Sequence, residues 1–205
     1  MLLNECFDIL LIACDDPIRF EHHETIKRIK CNRNPFSLNP VMIAADPFLA
    51  VKDDRLYLFY EEYRYRDKGI IKMTSTCDLV TWSVPQVVLS EHFHLSYPWV
   101  FKHEGQWYMM PETAAAHEIR LYKATNNDFG HFELDKTLLC HGMDEKLPAM
   151  DFCDSSIVQK NNAFYLFTTV SYGEGNELQL YFSDSLGGPY EVHPQSPLVV
   201  IIWLR

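Results

Sequence analysis

Five side chains could do chemistry together: Asp46, His94, Tyr97, Glu112 and Asp154. Asp46, Tyr97 and Asp154 follow one another at offsets of 51 and 57 residues, each at the head of a similar segment. Carboxylates brought together in a partly buried place repel one another and separate their proton affinities, which an acid–base pair requires. Such a pair can serve general acid–base catalysis. A tyrosine between two such carboxylates offers a ring face to a sugar. The plainer readings are a loop-closing Asp46 before Pro47, an Asx-turn at Asp154 and a core aromatic at Tyr97. Glu112 holds the same place as Glu61 one segment earlier, with Thr169 one segment later. Each glutamate either points into a channel or stands exposed at a strand end. His92 and His94 on a strand would share one face and could clasp a metal, but no Cys or acid spacing completes a ligand set. No metal is therefore expected, and His94 is read as a hydrogen-bonding loop residue at a channel mouth, beside Leu95-Ser96-Tyr97-Pro98.

The elements that position these residues repeat. The segments 46–59, 97–110 and 154–167 align without gaps, superposing Tyr57, Tyr108 and Tyr165. Each reads as strand, turn, strand. The turns Lys52–Arg55, His103–Gln106 and Lys160–Ala163 carry the Asp, Asn and Gly that accept left-handed backbone. A second hairpin follows in each unit: Gly69–Ser75 to Thr81-Trp82, His117–Ala124 to His131-Phe132, and Asn176–Ser183 to Pro189-Tyr190. Four short strands in about 50 residues are the grammar of a β-propeller blade. The fold class is thus all-β: three blades over 46–197, a segment 1–45 with room for a partial fourth, and a tail 198–205. Within the first segment, 8–13 reads as a strand, 22–25 as the cap of a short helical turn, and Asn34–Phe36 and Asn39–Val41 as loops and strand entries.

Composition narrows the partners. The 205 residues carry 28 acidic and 18 basic side chains, a formal charge of −10, which argues against nucleic acid or an anionic membrane as partner. Aromatics at 14 % favour sheet and sugar-facing surfaces. Eight glycines form no phosphate loop and no Gly-x-Ser-x-Gly is present, so no nucleotide or other cofactor is expected. No apolar stretch reaches the roughly 20 residues of a spanning helix, and the N-terminus carries acids where a signal peptide carries Lys or Arg. The chain as written reads as soluble and without an Asn-x-Ser/Thr acceptor. The six cysteines lack a C-x-x-C and are read as buried free thiols of a reducing compartment.

Ala45-Asp-Pro-Phe48, Leu95–Phe101, Tyr108–Thr113, Asp154–Ser156, Tyr181–Ser185 and Gly188–Tyr190 occur in order. This string resembles the N-terminal propeller domain of glucosamine inositolphosphorylceramide transferases over roughly 34–197. That domain in turn is similar to the five-bladed propellers of arabinanase and β-xylosidase type glycoside hydrolases. The resemblance implies a five-bladed ring of about 260–280 residues, of which three to four blades would lie here. It implies the general base at Asp46, a pKa-tuning acid at Asp154 and a catalytic Glu beyond residue 205. It also implies a glycosyltransferase domain elsewhere, fused to the propeller or docked on it, and a Golgi-lumenal life for a full-length relative. The favoured function is a non-catalytic, glycan-handling propeller that meets a carbohydrate or glycolipid head group through Tyr97, His94 and Glu112. The alternatives are an inverting glycoside hydrolase with Asp46 as base and a protein-interaction propeller without a small ligand.

Overall fold

The computed structural model describes residues 7–16, 18–19, 22–31, 40–126, 129–140, 151–172 and 175–202. Among the described residues fifteen strands follow in order: β1 Ile9–Cys14, β2 His23–Ile29, β3 Val41–Lys52, β4 Arg55–Arg64, β5 Gly69–Thr76, β6 Gln86–Leu89, β7 Ser96–His103, β8 Gln106–Glu112, β9 Glu118–Ala124, β10 Phe132–Cys140, β11 Asp151–Lys160, β12 Ala163–Tyr172, β13 Gly175–Ser183, β14 Glu191–Val192 and β15 Val199–Ile202. Strands β3–β6, β7–β10 and β11–β14 form three antiparallel meanders. These are three blades of a five-bladed propeller type, and the arc they make is incomplete.

The inner hairpins are set by their turns. Asp53-Asp54, Glu104-Gly105 and Asn161-Asn162 all have positive φ, the geometry whose twist matches that of the flanking strands. Registers then coincide: Tyr57 faces Ala50, Tyr108 faces Phe101 and Tyr165 faces Val158 across their hairpins.

Because successive strand residues point to opposite faces, each blade feeds two cores. Tyr57, Phe59 and Met109 pack between the first and second blades with Phe129 and Phe132. Met110, Leu121, Phe164 and Leu166 pack between the second and third. Leu58 and Tyr60 face the other side of the first blade, against Ile9 and Ile29 of the β1–β2 hairpin. Full burial of such side chains contributes about 1.5–3 kcal/mol each, so the blade junctions carry much of the stability.

Several local expectations are corrected. Residues 23–29 form strand β2 and not a helical turn, because β1 supplies an antiparallel partner. The fourth strand of the first blade is β6, whereas Thr81-Trp82 lies in a bend pinned by Asp78, whose carboxylate accepts the Val80 and Thr81 N–H groups. Those bonds hold the Asp78 carboxyl down at about 2. The cysteines are not uniformly buried thiols: Cys77 and Cys140 are exposed, Cys14 and Cys153 half-buried, and Cys31 is disulfide-bonded. The tail's Val199–Ile202 continues the blade, pairing with Leu178–Gly175 of β13. Residues 34–36, 39 and 203–205 lie outside the described residues. Among the described residues no helix is long and apolar enough to cross a membrane.

Candidate functional site at the head of the inner strands

The three inner strands β3, β7 and β11 share an irregularity. Each ladder slips where its hairpin partner approaches the inner strand's start: between Ala45 and Phe48, between Ser96 and Trp99, and between Cys153 and Ser156. In each slip sits one residue of positive φ: Asp46 (51°), Tyr97 (45°) and Asp154 (51°). A bulge of this kind bends the strand and re-aims a side chain and an N–H away from the ladder. Asp tolerates the left-handed region better than most residues, and Tyr does not, so Tyr97 is held there by its neighbours.

Those neighbours lie in the blades on either side. The Tyr97 ring stands edge-on to Phe48 of the first blade, with centroids 4.9 Å apart. Its hydroxyl is 3.2 Å from Ser156 Oγ of the third. Its N–H donates to Asp46 Oδ2 at 3.1 Å. Across the next junction the Asp154 N–H donates to Glu112 Oε2, also at 3.1 Å. The bulges of the second and third blades thus each present a backbone donor that a carboxylate of the preceding blade accepts.

His94 lies in the loop before β7, not on a strand, and does not team with His92, which is exposed beside Glu91. His94 Nδ1 accepts the Gly69 N–H at 3.0 Å, and Nε2 is 3.0 Å from Glu61 Oε1. The Leu95 N–H returns to the Gly69 carbonyl at 3.1 Å. Gly69 is required there: a Cβ on it would lie 2.3 Å from the Leu95 carbonyl oxygen. The Glu61 carboxylate raises the His94 pKa, against the desolvation that lowers it. The Gly69 N–H aimed at Nδ1 fixes the neutral tautomer with its proton on Nε2. The repeat place it shares with Glu112 is the signal that the sequence offers for Glu61, and at 5 % exposed it is not an exposed strand-end carboxylate.

The carboxylates are electrostatically coupled. Burial raises the Glu112 pKa most, the Asp154 charge adds to that rise, and the Asp154 N–H opposes it. Burial also raises the Asp154 pKa, followed by the Asp46 charge, with the Glu112 carboxyl offsetting part of the rise. Next door, burial and these same acids push the Cys153 thiol up to about 12, so it is no nucleophile. Asp46, Glu112 and Asp154 therefore share one electrostatic site, with Tyr97 threaded between the blades and His94 at its edge. Among the described residues no group of three His, Cys, Asp or Glu side chains could hold a metal ion. Trp99 and Trp107 pack in the junctions, their indole N–H groups buried without a partner among the described residues.

The family described as glucosamine inositolphosphorylceramide transferase 1, N-terminal, matches residues 27–201. The glucosamine inositolphosphorylceramide transferase 1 of Oryza sativa subsp. japonica is 38 % identical over 165 residues, which are 78 % of this chain and 21 % of the rice protein. That of Arabidopsis thaliana is 33 % identical, over 78 % of this chain and 20 % of its own length. The chain thus spans about a fifth of the curated relatives it matches. Among solved structures, the xylan β-1,4-xylosidase of Bacillus halodurans C-125 superposes with a TM-score of 0.60 at 18 % identity, covering 87 % of this chain and 36 % of the other. A family 117 glycoside hydrolase of Zobellia galactanivorans gives 0.63 at 14 % identity, covering 77 % and 57 %. These likenesses show the propeller fold.

Proposed function

The chain belongs to the family of glucosamine inositolphosphorylceramide transferase N-terminal domains, and we propose that it is the glycan-recognising, non-catalytic half of such a protein. The observation that carries this reading is the occupation of the site by the fold itself. Asp46 and Glu112 each give an oxygen to the next blade's backbone, and both His94 nitrogens are engaged. An oxygen that already accepts a backbone N–H is a poor proton shuttle but a well-positioned acceptor for a sugar hydroxyl on its free side. Exposed Asp154, beside half-buried Asp46 and Glu112, then reads hydroxyl pattern. The ligand is a carbohydrate or the sugar end of a glycolipid head group. The transferase chemistry named in the relatives would reside in the four fifths of their length that this chain does not cover.

A second reading is favoured by one observation: the raised Glu112 and Asp154 beside Asp46 separate their proton affinities as an acid–base set does. In that reading Asp46 is the base of an inverting glycoside hydrolase. The deciding experiment combines binding and turnover. Aryl arabinosides and xylosides are incubated with the chain and with Asp46→Asn, while binding of xylo- and arabino-oligosaccharides is followed by calorimetry. Binding that weakens at least 10-fold in Asp154→Ala, without hydrolysis by either form, supports recognition. Turnover abolished by Asp46→Asn replaces it with the hydrolase. Neither binding nor turnover ends both.

A further inference from the structure

We propose that the opposite, turn-side face carries a second sugar site, in a groove between the second and third blades, which takes a single uncharged or amine-bearing pyranose ring. It does not rest on the reading of the bulge-side site. The groove has a volume of about 400 Å³, within the range of small-ligand pockets.

The repeat explains why it is open. At the first junction, Lys52, Tyr57 and Trp107 surround Phe129, which comes from the loop after β9. Phe129 is fully buried, edge-on to Tyr57 at 4.7 Å and to Trp107 at 5.0 Å, with Lys52 Nζ 5.9 Å from its ring centre. At the second junction the same places belong to His103, Tyr108, Phe164 and, from the loop after β13, Leu186. Leucine is smaller than phenylalanine. What Phe129 fills at one junction is left open at the other, and Tyr108 is only half-buried where Tyr57 is 7 % exposed.

The lining suits a sugar. Leu121, Phe164 and Leu186 make an apolar floor. Tyr108 is backed by Phe101 in a stacked pair, 5.8 Å between centroids and 22° between planes, which holds its ring at the groove wall. Gln159, Asn162 and Asp184 line the rim and make no side-chain hydrogen bond to another described residue, so their donors and acceptors are open to hydroxyls. Glu104, Asp135 and Asp184 outnumber Lys136, which lies along Gly187 at the edge. That balance repels carboxylated or phosphorylated sugars.

The test uses the full chain in an Asp154→Asn background, so that the bulge-side site is disabled. Methyl β-glucoside, methyl β-glucosaminide and methyl β-glucuronide are titrated by saturation-transfer NMR and by backbone chemical shift. Millimolar binding of the glucoside or glucosaminide is expected, with shifts at Asn162 and Gly187 and at least 10-fold weaker binding of the glucuronide. Leu186→Phe, which restores the plug of the first junction, is expected to abolish it. Asp184→Ala, an exposed change that leaves the cores intact, is expected to weaken it at least 5-fold, and decides the matter should Leu186→Phe fail to fold. No binding, equal binding of the glucuronide, or binding indifferent to both substitutions overturns the proposal.

Discussion

The two blade junctions solve one problem with different residues. Both must satisfy an N–H that the inner-strand bulge turns away from its ladder. At the first junction the bulge's own Asp46 reaches forward to the Tyr97 N–H. At the second, Tyr97 occupies the bulge and has no carboxylate, so Glu112 from the neighbouring strand takes the Asp154 N–H. Glu61, the repeat counterpart of Glu112, is thereby released to hold His94. The strap outside follows suit. Gly69 and His94 close the first junction through a half-buried contact, whereas His117 and Asp151 stand in their places at the second as an exposed pair, 2.9 Å apart. What the repeat preserves is a backbone donor and its register. The acceptor migrates among side chains that can reach it.

The sharpest way to break this comparison is Gly69→Ala. The new Cβ would lie 2.3 Å from a carbonyl oxygen and 2.8 Å from the His94 ring, and neither can retreat without moving the β5–β7 contact. A loss of about 2–3 kcal/mol is expected in urea unfolding, as for overpacking of a closed site. A loss below about 0.5 kcal/mol would show that the strap is not rigid and that the junctions are alike.

Next come the two acceptors. Asp46→Ala and Glu112→Ala each strand a backbone N–H and remove a charge-assisted bond, at about 1.5–3 kcal/mol apiece. Asp46→Asn and Glu112→Gln keep an acceptor oxygen and should recover more than half of that loss. If the isosteric amides are as damaging as alanine, charge rather than the N–H bond is what the junction needs.

Much of this arrangement was legible in the sequence, and the misses have physical causes. The gap-free repeat, the Asp-Asp, Glu-Gly and Asn-Asn turns and the tyrosine positions are local, period-2 information, which strands display openly. Asp46, Tyr97 and Asp154 were found because the repeat offset brings them into line, although nothing in the string says that they adopt positive φ. The Glu61–His94 contact depends on a loop folding back over β5 and a glycine permitting it, a long-range event without a sequence period. Strand β2 was misread because His-Glu-Thr resembles a cap until β1 is known to lie beside it. The groove beneath Tyr108 was invisible because it arises from a volume difference between Phe129 and Leu186, each unremarkable alone.

The pH dependence sharpens the comparison further, because burial raises the second junction's acceptor, Glu112. Glu112 and Asp154 hold their protons more tightly folded than unfolded. Their contribution to stability is therefore full below the ordinary carboxylate range and is lost as pH rises through their raised folded values. Glu112→Gln keeps an oxygen for the Asp154 N–H and removes one such titration. The stability of Glu112→Gln relative to the parent is expected to increase as pH rises from the ordinary carboxylate range through the raised folded value and then to level off, measured by thermal unfolding at each pH. A flat difference would mean that Glu112 titrates as it does in the unfolded chain.

The smallest effect is expected at the outer strap of the second junction. His117 and Asp151 have side chains about half exposed, at 53 % and 51 %, and their contact is screened by solvent. His117 also carries positive φ (55°) just after the 3₁₀ turn at Ala114–Ala116, where its N–H is held by the Ala114 carbonyl at 2.8 Å. The backbone bond, not the imidazole, thus fixes this corner. His117→Ala should cost about 0.2–1 kcal/mol for an exposed pair of this kind. His117→Gly adds relief of the left-handed backbone and should be as stable as the parent or slightly more so. Gly69, in the matching place at the first junction, tolerates no side chain, so the contrast between His117→Gly and Gly69→Ala measures the asymmetry directly. A loss of more than about 2 kcal/mol in His117→Ala would place this strap on a par with the first and dissolve the distinction between the junctions.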